Sequence, residues 1–247
     1  MRARLTQTRM REQMIARAER LYLEEHARLK ARFMGAIEQW IAQNAVTDAG
    51  EKALLQRLRQ LFSEPAGHQA VFGRIGLGLD QDVVGTLVRV VPRVDRAALA
   101  TTPRAVSAFA RRNAELIKGF GDEVIDRIAT TLESGAAGMH VEALTAEFER
   151  AFDVTRSKAE LWARDQTLKL HAQLTQERHE QVGITRYFWT TSGDGAVREM
   201  HAELGARSDA GESFRYADPP VTNEQGDRNN PGEDYQCRCT GFPDLDG

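Results

Sequence analysis

"QERHEQVGITRYFWTT", residues 176–191, is where the chain changes character. Its first half ends the long run "TRSKAELWARDQTLKLHAQLTQERHEQVG", which has helical spacing throughout, and Gly183 stands where a helix C-terminus prefers glycine. The next eight residues, "ITRYFWTT", are β-branched and aromatic and predict a strand. The fold class that follows is α+β: a mainly helical N-terminal body with long helices, then a small mixed α/β C-terminal domain with short strands.

Working back from that junction, apolar residues draw helical stripes. Ile15, Ala18, Tyr22, Leu29, Phe33, Ile37 and Trp40 form one face of a long amphipathic helix over 9–42. A second helix is predicted over 49–62, ending at "SEPAG", where Pro65 and Gly67 punctuate the chain. The stretch 71–99, "VFGRIGLGLDQDVVGTLVRVVPRVDRAAL", is glycine-spaced and reads as irregular or partly helical. Beyond Pro103, Val106, Phe109, Asn113, Leu116 and Phe120 mark one helix. Val124, Ile125, Ile128 and Leu132 mark another, with "GFGD" between them and "ESGAAG" after. "HVEALTAEFERAF" reads as a short helix of its own. Trp162, on the long helix, and Trp189, in the strand, read as anchors that fasten that helix to the terminal unit.

Downstream, "SGDGAVREMHAEL" reads as a turn and short helix, "FRYADPP" and a polar loop follow, and "YQCRCTGF" is strand-like. The 247 residues, 41% hydrophobic and 28% charged, suffice for one sizeable core or two small ones. No apolar run approaches the ~20 residues of a membrane span, and no apolar segment follows the charged "MRARLTQTRMREQM", which argues against a membrane partner or secretory signal. Two cysteines make no disulfide framework, so a reducing compartment is expected. Charge is uneven. Residues 1–60 hold 12 Lys/Arg against 7 Asp/Glu, and residues 193–247 hold 5 Arg against 12 Asp/Glu. The basic end suits DNA or an acidic protein surface, or is simply a solvated helix face.

Both cysteines sit in "NNPGEDYQCRCTGFP", residues 229–243. On a strand, Cys237 and Cys239 would point to one face, with Gln236 and Arg238 on the other. Their Cα atoms would then be about 6.5 to 7 Å apart, at the upper limit for a disulfide. Two thiolates with a nitrogen or carboxylate ligand instead suit a structural Zn²⁺, and His201 and Asp194 are the nearest upstream donors. The plainer readings are two small buried side chains for the cysteines, a satisfied imidazole for His201, and an N-cap for Asp194, with Arg198 then a partner for an acidic side chain. His171 and His179, eight apart on the long helix, read as solvent-facing. An enzymatic alternative, a metal-dependent nuclease or hydrolase using Asp194, His201 and the cysteines, finds no supporting motif: H-E-x-x-H, the P-loop and G-x-S-x-G are all missing. No catalytic residue is therefore assigned.

The order of these pieces resembles the phage Mu F-like minor head proteins, also called phage head morphogenesis proteins. The residues that carry the resemblance are Ala163, Arg164, Asp165, Gln166, Gly183, Trp189, Thr191, Asp194, Arg198, His201, Pro231, Gly232, Cys237, Arg238 and Cys239. It is specific over about 157–243 and looser over "FARRNAELIKGFGDEVIDRIATTLESG". The organisation it suggests is a basic helical arm (1–65), a helical middle region (66–156) and a Mu F-like C-terminal domain (157–247). It implies a non-enzymatic minor capsid protein of a tailed phage or prophage, docked at the portal vertex and acting in head assembly and DNA packaging or delivery. The implied partners are the portal protein, a major capsid or scaffold protein, and DNA through the basic arm. The implied location is the virion, in the capsid interior or at the portal vertex, after assembly in host cytoplasm.

Overall fold

The computed structural model describes residues 2–43, 48–63, 65–133 and 141–246. Helices α1 (Arg2–Ala42), α2 (Asp48–Phe62), α3 (Pro65–Val90), α4 (Arg104–Glu133) and α5 (Val141–Gln181) precede strand β1 (Arg186–Thr190). Helix α6 (Glu199–Asp209) and strands β2 (Phe214–Arg215) and β3 (Thr240–Pro243) complete the α+β order. All seven stripe residues of α1 are buried, as their spacing requires. Pro65 opens α3, where its missing N–H is no loss. The stop expected at "ESGAAG" lies, beyond Glu133, outside the described residues.

The glycine-spaced stretch 71–99 is partly helical, with α3 running as far as Val90, because Phe72, Ile75, Leu79, Val83 and Leu87 recur at helical spacing and all are buried. Burial of that stripe outweighs a cost of about 1 kcal/mol per helical glycine. Two segments differ from the sequence reading, both towards longer helices. "GFGD" does not interrupt α4, whose buried face runs on from Phe120 to Val124. Likewise "HVEALTAEFERAF" is not separate: α5 is continuous from Val141 to Gln181.

The chain condenses into two compact units, Met1–Glu19 with Arg74–Phe109 and Arg164–Gly247, and Arg20–Gly73 with Ala110–Ala163. The segments 1–65 and 66–156 therefore each contribute to both units. The second unit is helical, with aromatic contacts at its centre: Tyr22 on Phe72 at 4.9 Å, His26 edge-on to Phe120 at 4.9 Å, and Phe120 against Trp162 at 6.3 Å. Trp162 thus packs within this unit, whereas Trp189 belongs to the core of the other.

In the first unit, β1 is the central strand of an antiparallel sheet ordered β2-β1-β3. Tyr187 pairs with Phe214 on one side, and Trp189 pairs with Gly241 on the other. Helix α6 docks on β1 through Ser208, whose Oγ accepts the Trp189 backbone N–H at 2.7 Å. Gly183, at φ 82°, ends the long helix as predicted, with Ile184 N–H returning to His179 O at 2.9 Å. A buried ion pair joins α3 to α5: Arg178 Nε donates to Asp80 Oδ1 at 2.8 Å, Nη2 donates to Oδ2, and Nη1 donates to Gln181 Oε1 at 2.7 Å.

Removing one partner strands a buried charge, which costs about 3 to 5 kcal/mol, whereas an apolar pair of similar volume costs far less. Asp80→Leu alone and Arg178→Met alone are each expected to lower the urea midpoint of unfolding strongly. The double variant is expected to recover most of that loss, and additive losses would contradict this account of the pair.

Candidate metal centre

The C-x-C segment does not lie in a strand. β3 begins at Thr240, and the cysteines occupy the irregular stretch between the turn at 231–236 and that strand, so the strand expected across residues 237–239 is corrected. Gln236 is the one described non-glycine residue with positive φ, 54°. That left-handed kink is held by Asp165 of α5, whose Oδ1 accepts the Gln236 N–H at 3.0 Å while Oδ2 takes Lys169 Nζ at 2.8 Å. Gly232, at φ 94°, sets the same loop against α5, since a Cβ there would come within 2.8 Å of Ala172 Cβ. Cys237 N–H closes the turn onto Asp234 O at 3.0 Å.

The kink sends both thiols inward, among Tyr187, Trp189, Leu204, Phe214 and Tyr216. The cysteines are not joined by a disulfide. His201, 2% exposed on α6, meets them: its Nδ1 is 3.5 Å from Cys237 Sγ and 3.6 Å from Cys239 Sγ. Its other nitrogen, Nε2, is 3.0 Å from Asp234 Oδ2, and Asn229 Nδ2 donates to Oδ1 of the same carboxylate at 2.8 Å. In the neutral tautomer whose Nε2–H donates to Asp234, Nδ1 would present its lone pair to the sulfurs. His201 Nδ1 and the two sulfurs form the group of donor atoms, all within 4.8 Å of one another, that could hold a metal ion among the described residues.

Asp194 is not in that group. Helix α6 starts at Glu199, so Asp194 lies in the preceding turn, not at the helix N-cap. Its Oδ1 accepts the Ala196 N–H at 3.1 Å and Arg238 Nη2 at 2.7 Å. The Arg238 guanidinium, followed by the Ala196 N–H, holds the Asp194 carboxyl below the usual carboxylate range. Arg198 is the N-cap residue of α6 and donates to Tyr235 O at 2.6 Å, and its charge acts on Asp234. Arg164 is exposed, 3.6 Å from Glu19.

Burial pulls the His201 imidazolium down, but Asp234 and Cys237 outweigh it and lift the group to about 9. The thiol of Cys239 holds Cys237 well below the ordinary thiol range against the penalty of burial, with His201 adding to the effect. Cys239 moves the opposite way, raised by its hydrogen bond to Cys237 and by burial. The site thus favours one thiolate, on Cys237, beside a charged imidazole.

Three features escaped the sequence. Arg11, from the basic arm, is 2% exposed, and its Nε and Nη1 have no hydrogen-bond partner among the described residues. Its charge acts on both cysteines, Cys239 most. A signal was present: Arg11 precedes Ile15, Ala18 and Tyr22 on the same helical stripe. Asp234, three residues before Cys237, had no visible pairing. His171 and His179 are buried, not solvent-facing. His179 Nδ1 is 2.7 Å from Tyr216 Oη, an arrangement that requires the folded sheet.

Comparison with known proteins matches residues 122–242, just under half of the chain, to the family described as Phage Mu protein F like protein. The match reaches upstream of the specific resemblance into α4. A Haemophilus influenzae protein, described as an uncharacterized protein, is 38% identical over 142 residues, 57% of this chain and 30% of that one. The chain therefore spans under a third of that relative's length. No solved structure matches the chain.

Two outcomes are expected. Cys237→Ser or Cys239→Ser puts a hydroxyl into an apolar cluster and should destabilise the first unit by about 1 to 3 kcal/mol, seen as a lowered melting temperature. Burial lowers His179 to about 4, and burial with the charge of Arg11 lowers His171 to about 3. Both are depressed below the unfolded value near 6.5, so their contribution is intact above about pH 6.5 and is lost as pH falls towards 4. Urea midpoints should drop between about pH 7 and pH 5 by a margin that shrinks in His179→Gln; equal slopes in the two proteins would contradict it.

Proposed function

We propose that this chain is a structural, non-enzymatic minor component of a tailed phage or prophage head, that it docks at the portal vertex through its helical regions, and that it acts in head assembly and DNA packaging or delivery. The observation that carries this reading is the family match over residues 122–242. The helical proportion is in keeping with it, since long amphipathic helices offer extended faces for protein partners. No described helix is long and apolar enough to cross a membrane. The partners are the portal protein first, then the major capsid or scaffold protein. DNA would be met by the exposed cations of the basic arm, from which Arg11 is withdrawn by burial.

The test is co-expression of the full chain with the portal protein of the same genome, followed by separation by size and identification by mass. A stable complex of the two is expected. Free portal beside free chain, at concentrations where the portal itself assembles, would overturn direct docking. Duplex DNA affinity, if the arm contacts phosphates, should fall steeply with salt.

A further inference from the structure

We propose that His201 Nδ1, Cys237 Sγ and Cys239 Sγ bind one Zn²⁺, that Trp189 belongs to the outer shell of its thiolates, and that its fourth coordination position opens to solvent and takes a water or an exchangeable anion. The site stands or falls independently of the head-assembly role.

The first argument is distance. A tetrahedral ion with Zn–S near 2.3 Å and Zn–N near 2.05 Å requires its nitrogen and sulfur ligands to lie about 3.6 Å apart. The His201 Nδ1 separations from the two sulfurs are 3.5 and 3.6 Å. Those edges of the coordination polyhedron are already formed. The second argument is orientation. A ligating histidine normally donates its other N–H to a carboxylate, which fixes the tautomer. Asp234 stands at Nε2, 3.0 Å away, and is itself held by Asn229.

The third argument is the company the sulfurs keep. Trp189 is buried in one cluster with both cysteines, its ring stands edge-on to His201 with centroids 5.3 Å apart, and its buried Nε1 makes no hydrogen bond among the described residues. A donor left unanswered in such a cluster is costly, and a metal-bound thiolate is an acceptor that would answer it.

The open position follows from where the remaining acids are. Asp194 is engaged by Arg238, Asp165 by Gln236 N–H and Lys169, and Asp234 lies behind the imidazole. What borders His201, Cys237 and Cys239 on the remaining side is a hollow of about 390 Å³, lined also by Arg164, Arg198 and Arg238. Of these arginines Arg238 is paired with Asp194 and Arg164 lies 3.6 Å from Glu19, which leaves Arg198, hydrogen-bonded to the Tyr235 carbonyl, as the cation that favours an anion beside the metal.

The experiment uses the full chain purified under reducing conditions. About one zinc per chain is expected, absent from His201→Ala and from Cys239→Ser and retained in Asp194→Asn. Loss of zinc in Asp194→Asn would overturn the three-ligand set. Replacement by Co²⁺ should give a thiolate-to-cobalt band with tetrahedral intensity, and inorganic phosphate or azide should shift it. A spectrum indifferent to both anions would overturn the open position. Trp189→Phe should weaken zinc about 10- to 100-fold in competition with a chelator, while unchanged affinity would overturn the outer shell. Zinc-free protein whose two thiols react freely in the folded state, with no cobalt band, would overturn the site itself.

Discussion

The inward turn of the Cys-Arg-Cys segment depends on one hydrogen bond, from Gln236 N–H to the buried carboxylate of Asp165. A non-glycine residue in the left-handed region costs on the order of 1 kcal/mol and persists only where its surroundings over-determine it. Here the carboxylate comes from α5, and Lys169 and Gln166 hold its second oxygen at 2.8 and 3.3 Å. With the turn so placed, alternate side chains fall to opposite sides: Cys237 and Cys239 go to the core, and Arg238 goes outward to Asp194. The Ala-Arg-Asp-Gln stretch and the Cys-Arg-Cys stretch, far apart in sequence, are thus two halves of one structural device.

The rest of the first unit shows how much polar chemistry its interior holds. Arg178 with Asp80 and His179 with Tyr216 are partnered side chain to side chain, and each pair joins α5 to another element. Low dielectric makes such pairs strong when complete and expensive when broken. They fix the rotational setting of α5, because a helix turned by one residue would leave Arg178 and His179 facing apolar surface. That rotation also determines where Asp165 points, so the buried pairs at one end of the helix and the cysteine turn at the other share a constraint.

Much of this was legible in the residues. The helical stripe of α1, the C-terminal glycine at Gly183, the strand at Arg186–Thr190 and the nearness of His201 to the cysteines follow from periodicity, turn chemistry and ligand type. Helix continuity was harder. Glycines at "GFGD" and along α3 lower local propensity, and only burial by distant segments reveals that the helix goes on. Asp194 misled for a similar reason, since a capping residue and a turn residue have the same composition, and the arginine that claimed it lies on another loop. Buried histidines on a charged helix and an arginine on an apolar stripe were the remaining gaps, because partners such as Tyr216 and Cys239 are non-local.

The first unit is assembled from early, middle and late stretches of the sequence, and Arg11 acts on cysteines that follow it by most of the chain. During synthesis the ribosome releases the first nineteen residues long before β3 emerges to pair with β1. Contacts of such high sequence separation form late and slowly. Arg11, Met14, Ile15 and Ala18 of α1, all buried in the finished fold, must therefore wait exposed until nearly the whole polypeptide has been made. A premature stop anywhere before Thr240 leaves those side chains without their last partners, so truncated chains are natural clients for chaperones and proteases.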